Sequence, residues 1–254
     1  MNFHTVLPHS KKHARHIFFG VLFLLTATLK LVYATADTTT PCCPENTGLI
    51  FDLDGVVLKK PAIFGPLYKH KMALAKASIS PTLWAHVITL LSHRSAGGQY
   101  QALFKQEHPE LVTLVNEIMQ SKEPIEETVA LIKELAATGY SLHIASNMDE
   151  NDFKFFEQKY PDLFSLFKVK KLIRYSSDPK EKPIKKPDRA YFVELMDELE
   201  KKGEKKEHLI FIDDLAKNAA AAEQAGEKEG LSSIIFQDSA QIRQELQERK
   251  ILKN

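Results

Sequence analysis

The chain has 254 residues, 44% of them hydrophobic and 26% charged, with a formal net charge of +1. This composition excludes a chain that is disordered throughout and suits one globular domain or a domain carrying a sizeable insertion. The near-neutral balance implies neither nucleic-acid nor lipid-surface binding.

Residues 1–36 differ from the rest. Lys11, Lys12 and Arg15 precede an apolar run over 17–29, and Ala34-Thr35-Ala36 follows it. A basic stretch, an apolar core of about 7 to 15 residues and an Ala-x-Ala site describe a secretory signal peptide. Cleavage would leave Asp37 first and an exported, periplasmic or secreted protein. The alternative is a single amino-terminal membrane anchor, although the run is shorter than the roughly 20 residues that span a bilayer, and Lys30 interrupts its extension. Residues 1–36 hold four basic and no acidic side chains, so the mature chain carries 30 against 33, a charge of −3. The two cysteines, Cys42 and Cys43, are adjacent and sit in a linker over 37–47, where they cannot staple a core. A vicinal disulfide, an intermolecular bridge and two free thiols are all open to them.

The run Gly48-Leu49-Ile50-Phe51-Asp52-Leu53-Asp54-Gly55 comes next. Its apolar residues predict a strand buried on both faces, as in a parallel sheet covered by helices. Asp52 falls at the carboxyl edge, where ligands bind in open α/β sheets. The period of two turns Asp54 to the same side, and Gly55 allows a sharp bend after the pair. Two carboxylates this close need a cation or a shared proton between them, and magnesium takes such oxygen ligands together with substrate phosphate.

Residues 59–123 are helical in character, with candidate helices at 66–78, 80–93, 97–107 and 109–120. The apolar spacing over 82–91 marks packing surface. His70, His86, His93 and His108 have no metal-ligand spacing and are expected to be structural or solvent-facing. A helix over 126–137 stops at Gly139, and a strand over 140–145 delivers Ser146 and Asn147. A hydroxyl with the adjacent backbone amide at a strand end can hold a phosphoryl oxygen, although Ser-Asn is also a common helix cap.

Helices are expected near 151–159 and ending near 167, then a strand over 169–175. Lys185-Lys186-Pro187-Asp188 precedes a helix running to about 201, with Pro187 expected in its first turn. The run Leu209-Ile210-Phe211-Ile212-Asp213-Asp214 is a second buried strand ending in acids. Asn218 follows in a helix over 215–225 that Gly226 stops. A fifth strand over 231–236 and a closing helix over 240–247 complete the chain. The Lys/Glu-rich segments 197–207 and 243–253 read as solvated helix faces.

These pieces resemble, in order, the four motifs of the haloacid dehalogenase-like (HAD) hydrolases: Asp52-Leu53-Asp54, Ser146 with its preceding strand, Lys186-Pro187-Asp188, and Asp213-Asp214. The resemblance covers about 48–249. It implies an α/β fold with a doubly wound parallel, Rossmann-like sheet: core at 48–58 and 124–254, all-helical cap at 59–123. Asp52 would be the nucleophile and Asp54 the general acid and base. Ser146 and Asn147 would bind the phosphoryl group, and Lys186 would hold it and steady the nucleophile. Mg²⁺ would be held by Asp52, Asp54, Asp213 and Asp214, with Asn218 behind the acids. Cap residues Tyr68, Lys69, Lys71, Arg94 and Tyr100 are candidates for substrate selection.

The function so implied is Mg²⁺-dependent hydrolysis of a small phosphate monoester through an aspartyl-phosphate, by a monomer or homodimer with no nucleic-acid or membrane partner after signal cleavage. Alternatives are a phosphomutase using the same groups, and a secreted binding protein that keeps the fold without turnover. An acid at position 54 argues against dehalogenation, since a halide leaves without a proton.

Overall fold

The computed structural model describes residues 43–62, 64–69, 109–173 and 182–253. Five strands, β1 (Thr47–Phe51), β2 (Ser141–Ala145), β3 (Val169–Lys171), β4 (His208–Asp213) and β5 (Leu231–Ile235), form one sheet in the order β3-β2-β1-β4-β5. Every pairing is parallel. Alternation along the strands feeds two apolar layers, as the period of two requires. Leu49, Phe51, Ile210 and Ile212 enter one layer, and Ile50, Leu209 and Phe211 the other.

On the first face lie α3 (Glu126–Ala137), α4 (Glu150–Lys159), the short α5 (Pro161–Phe164) and α8 (Ser239–Glu248), which contribute Leu131, Ile132, Phe156, Phe164 and Leu246. On the second lie α6 (Arg189–Lys201) and α7 (Ala216–Gly226), with Tyr191, Phe192, Leu195 and Ala222. Phe192 meets Phe211 edge-on, their centroids 5.5 Å apart, a geometry worth about 0.5–1.5 kcal/mol beyond the area it buries. Helices on both faces of a parallel sheet are the architecture expected from the buried strands. The strand order reverses between β1 and β4, and the acids at the ends of these two strands flank that crevice.

Among the described residues of the inserted stretch are α1 (Phe64–Lys69) and α2 (Pro109–Gln120); the helices expected at 80–93 and 97–107, and residues 70–78 of the one expected at 66–78, lie outside the described residues. The two chain segments that join core and insertion run side by side. Leu58 bridges Pro124 in antiparallel fashion, Lys59 N donates to Glu123 O at 2.7 Å, and Ile125 N donates to Val57 O at 2.9 Å.

Several boundaries differ from expectation. Pro187 precedes α6, which begins at Arg189, because residues 185–188 form a turn closed by Asp188 N on Lys185 O at 2.8 Å. Gly226 is the last residue of α7 and is small because a Cβ there would meet Leu231 at 2.5 Å; the chain reverses at Gly230, whose φ is +73°. The third strand ends at Lys171, short of the expected 169–175: Leu172 and Ile173 are outside it, and residues 174–181 lie outside the described set. Cys43 is a free thiol 3.2 Å from Asn46 Oδ1, and Cys42 lies outside the described residues. Among the described residues no helix is long and apolar enough to cross a membrane, and residues 17–29 are not among them.

His143, in the middle of β2, is fully buried and neither ring nitrogen has a hydrogen-bond partner. Desolvation holds its pKa down at about 4, with Glu204 opposing and Lys168, Lys206 and Lys202 assisting. The unfolded chain therefore binds a proton that the folded chain refuses between about pH 6.5 and 4. Stability from this residue is fully present above about pH 6.5 and is lost as pH falls. Urea unfolding at pH 7 and pH 5 should show the wild type losing about 2 kcal/mol more than His143→Leu, a difference that equal losses would refute.

Candidate active site

Asp52 extends β1, its N–H donating to Ile212 O at 2.9 Å, so its side chain emerges where β1 and β4 both end. It is buried, 6% exposed. Its Oδ1 accepts from Leu53 N at 2.7 Å and lies 2.9 Å from Lys186 Nζ. The same ammonium is 2.6 Å from Asp213 Oδ2. A buried row thus runs Asp52, Lys186, Asp213, with the lysine between two carboxylates.

The electrostatics follow from this burial. Desolvation pushes the Asp52 carboxyl up to about 7; Lys186 pulls it down while Asp213 and Asp54 push it further up. Burial acts to lower the Lys186 ammonium, but Asp52 and Asp213 outweigh it and hold it above the ordinary lysine value.

Lys186 reaches this row from the 185–188 turn, and Asn147 fixes the turn. The amide of Asn147 donates to Lys186 O at 2.9 Å and accepts from Lys186 N at 2.8 Å. Expected to contact substrate, Asn147 lines the cleft but has its side chain engaged at both ends by the backbone of Lys186. Ser146 sits at the end of β2, 1% exposed, held by its N–H to Lys171 O at 2.9 Å, and its Oγ accepts from Met148 N at 3.3 Å. Tyr191 supports it from below, donating to the carbonyls of Ser146 and Lys171 at 3.2 and 2.7 Å.

Both oxygens of Asp213 are taken by protein donors. Oδ1 accepts from Leu215 N at 2.8 Å and Asn218 Nδ2 at 3.0 Å; Oδ2 accepts from Lys186 and, at 3.0 Å, from the same Asn218 nitrogen. Asn218 therefore stands behind the acids, as expected. Asp214 turns instead to the cleft, 3.0 Å from the Lys60 ammonium. Gly55 packs against it: with φ at +88°, a Cβ there would fall 2.7 Å from Asp214 Oδ2.

Asp52, Asp54, Ser146, Asn147, Lys186 and Asp214 line one cleft of about 370 Å³, together with Lys60, Pro61, Leu215 and Asn218. Carboxylate oxygens of Asp52, Asp213 and Asp214 lie within 4.8 Å of one another, the hard, all-oxygen set that suits magnesium. Asn218 Oδ1, buried beside them, has no protein partner, which leaves an acceptor for a water of a hydrated cation. Asp54, expected among the metal ligands, is outside this trio; its Oδ1 is 2.5 Å from the ammonium of Lys122.

Lys122 and Lys60 escaped sequence reasoning, since neither belongs to a motif and a lone lysine reads as a solvated side chain. Of the cap candidates, Tyr68 is exposed and Lys69 pairs with Glu117 at 2.8 Å; Lys71, Arg94 and Tyr100 lie outside the described residues.

The fold is shared with solved structures of low identity. An HAD family enzyme from Bacteroides thetaiotaomicron, in complex with magnesium and inorganic phosphate, matches with a TM-score of 0.53 at 16% identity, covering 78% of this chain and 98% of that one. A protein of Thermotoga maritima assigned as a β-phosphoglucomutase matches at 0.52 and 13%, covering 80% and 99%. No curated protein matches the sequence. The family model for haloacid dehalogenase-like hydrolase matches residues 47–226. With that match over most of its length, and a doubly wound sheet carrying acids and a lysine at one edge, the chain belongs to the haloacid dehalogenase-like hydrolases.

Proposed function

We propose that the protein is a magnesium-dependent phosphatase that hydrolyses a small phosphate monoester through an aspartyl-phosphate on Asp52. The observation that carries this reading is the buried row Asp52, Lys186, Asp213, of which Asp52 and Lys186 line a cleft together with Asp54, Ser146 and Asp214. Solved structures of this fold hold phosphate and magnesium in the Bacteroides enzyme, which fits a phosphorylated substrate and this cation.

Asp52 and Asp214 would hold the cation, with Asp213 close behind. Bound there, it supplies positive charge that lets an anionic ester approach a carboxylate. Lys186 contributes a fixed charge to the same end and keeps Asp52 from swinging away. Asp52 attacks phosphorus, the ester oxygen leaves, and Asp54 gives that oxygen its proton. Asp54 then takes a proton from the water that cleaves the acyl phosphate, which restores both residues. Ser146 Oγ, at the end of β2, stands beside the cleft to bind a phosphoryl oxygen.

Residues 59–123 act as a helical cap over this edge, a division supported by α1, α2 and the paired segments that join them to the core. Residues 1–36 act as an export signal, on the strength of their basic, apolar and Ala-x-Ala pattern. Such a location favours a hydrolase over a phosphomutase, which would serve intracellular sugar metabolism.

Purified protein should release phosphate from 4-nitrophenyl phosphate with Mg²⁺ and not with chelator, and Asp52→Asn should lower the rate on the order of 10³-fold or more. A folded wild type inert on this and a panel of esters would refute the proposal. Movement of the phosphoryl group to a second hydroxyl of a sugar phosphate, without phosphate release, would establish the mutase reading instead. Gly55→Ala forces a left-handed φ on a side chain that also collides with Asp214. We expect about 1–3 kcal/mol of strain in a thermal or urea melt and at least a tenfold higher Mg²⁺ concentration for half-maximal activity. Unchanged Mg²⁺ dependence would remove Asp214 from the cation site.

A further inference from the structure

Lys122 is fully buried, both as a residue and along its side chain. Burying an ammonium is costly unless its charge is met, and lysines are rarely found so deep. The charge is met by Asp54, whose Oδ1 is 2.5 Å from Lys122 Nζ and whose side chain, 32% exposed, lines the cleft. The ring of Phe156 lies beneath the ammonium, its centroid 6.0 Å away.

The backbone around this pair is equally constrained. Asp54 belongs to a tight loop in which Gly55 N donates to Leu58 O at 2.7 Å and Leu58 N to Leu53 O at 2.8 Å. Lys122 is two residues past the end of α2, on the returning segment that pairs with the far side of that loop through Lys59 N to Glu123 O and Ile125 N to Val57 O. Just before it, Ser121 Oγ accepts from Ala62 N at 3.0 Å. Lys122 thus carries a charge from the insertion back into the core, and it ends on the acid of the site.

We infer that Lys122 is a positioning residue for Asp54: its ammonium holds one carboxylate oxygen so that the group faces the leaving oxygen of the substrate. This rests on the phosphatase reading above. A merely structural ion pair would affect how much protein folds. A positioning contact affects chosen substrates, because Asp54 matters only where the leaving group needs a proton.

The test is kcat/KM of the full chain at fixed Mg²⁺ for 4-nitrophenyl phosphate, whose leaving group departs without a proton, and 4-methoxyphenyl phosphate, whose leaving group gains from one. This parameter covers the steps through formation of the aspartyl-phosphate, and the ratio of the two values does not depend on the fraction folded. Wild type, Lys122→Met and Lys122→Gln are compared. We expect 4-nitrophenyl phosphate to change less than about 5-fold and 4-methoxyphenyl phosphate to fall on the order of 10²-fold in both variants. Lys122→Arg, which keeps the charge, should recover a ratio nearer wild type. Equal losses on the two esters, or no loss on either, would overturn the assignment. A wild type inert on both would overturn the phosphatase reading and this inference with it.

Discussion

The buried ammonium of Lys186 holds together the edge where β1 and β4 end. Asp52 and Asp213 end neighbouring strands, and without Lys186 between them two desolvated carboxylates would repel across the β1–β4 junction. Such a row is an expensive way to stabilise a fold, since apolar residues of similar volume often do as well or better, while removing one member of a buried pair costs about 3–5 kcal/mol. Its presence at the edge where α/β sheets bind ligands fits a group retained for chemistry. Much of the surrounding structure serves it. The 185–188 turn aims the lysine, Asn147 locks that turn through both backbone groups of Lys186, and Asn218 with the Leu215 amide completes Asp213.

The sheet makes this arrangement possible because β1 is central. Helices cover both faces, so the two central strands are apolar over residues 49–51 and 209–212, and acids gather where these strands stop. The reversal of strand order beside β1 leaves an opening at that edge, and the cleft occupies it. The division of labour between the two adjacent acids follows from their positions. Asp213, the last residue of β4, points into the row and has every oxygen engaged; Asp214, the next residue, turns outward to the cleft and leans on Gly55.

Much of this was legible in the sequence because strands buried on both faces write themselves as unbroken apolar runs, and acids at the end of such a run have few structural reasons to be there. That logic located Asp52, Asp213 and Asp214, and a lysine before a helix gained meaning from its order among them. What it missed is of another kind. The pairing of Lys122 with Asp54 spans 68 residues and leaves no periodicity or spacing to detect. Asn147 has the type and position of a substrate ligand, yet its amide is complementary to the backbone of a segment 39 residues away. Pro187 could begin a helix by its fixed φ, but the need to turn Lys186 inward keeps the helix from starting until Arg189. His143 looks like one more polar residue in a strand until register puts it opposite Ile50 in the middle of the sheet.

The paired segments at the root of the insertion have a consequence for how the family's architecture can vary. Because the segments around Leu58 and Pro124 are tied by Lys59 N to Glu123 O and Ile125 N to Val57 O, the core sees residues 59–123 as a loop whose ends are already closed. Lengthening, shortening or replacing that loop changes its closure entropy only logarithmically, roughly 0.6 kcal/mol per doubling. The core can therefore accept a different insertion at small thermodynamic cost while the five strands stay as they are. Lys122 sets the limit of that freedom, since a graft that trims the returning segment by even a few residues takes away the charge that meets Asp54.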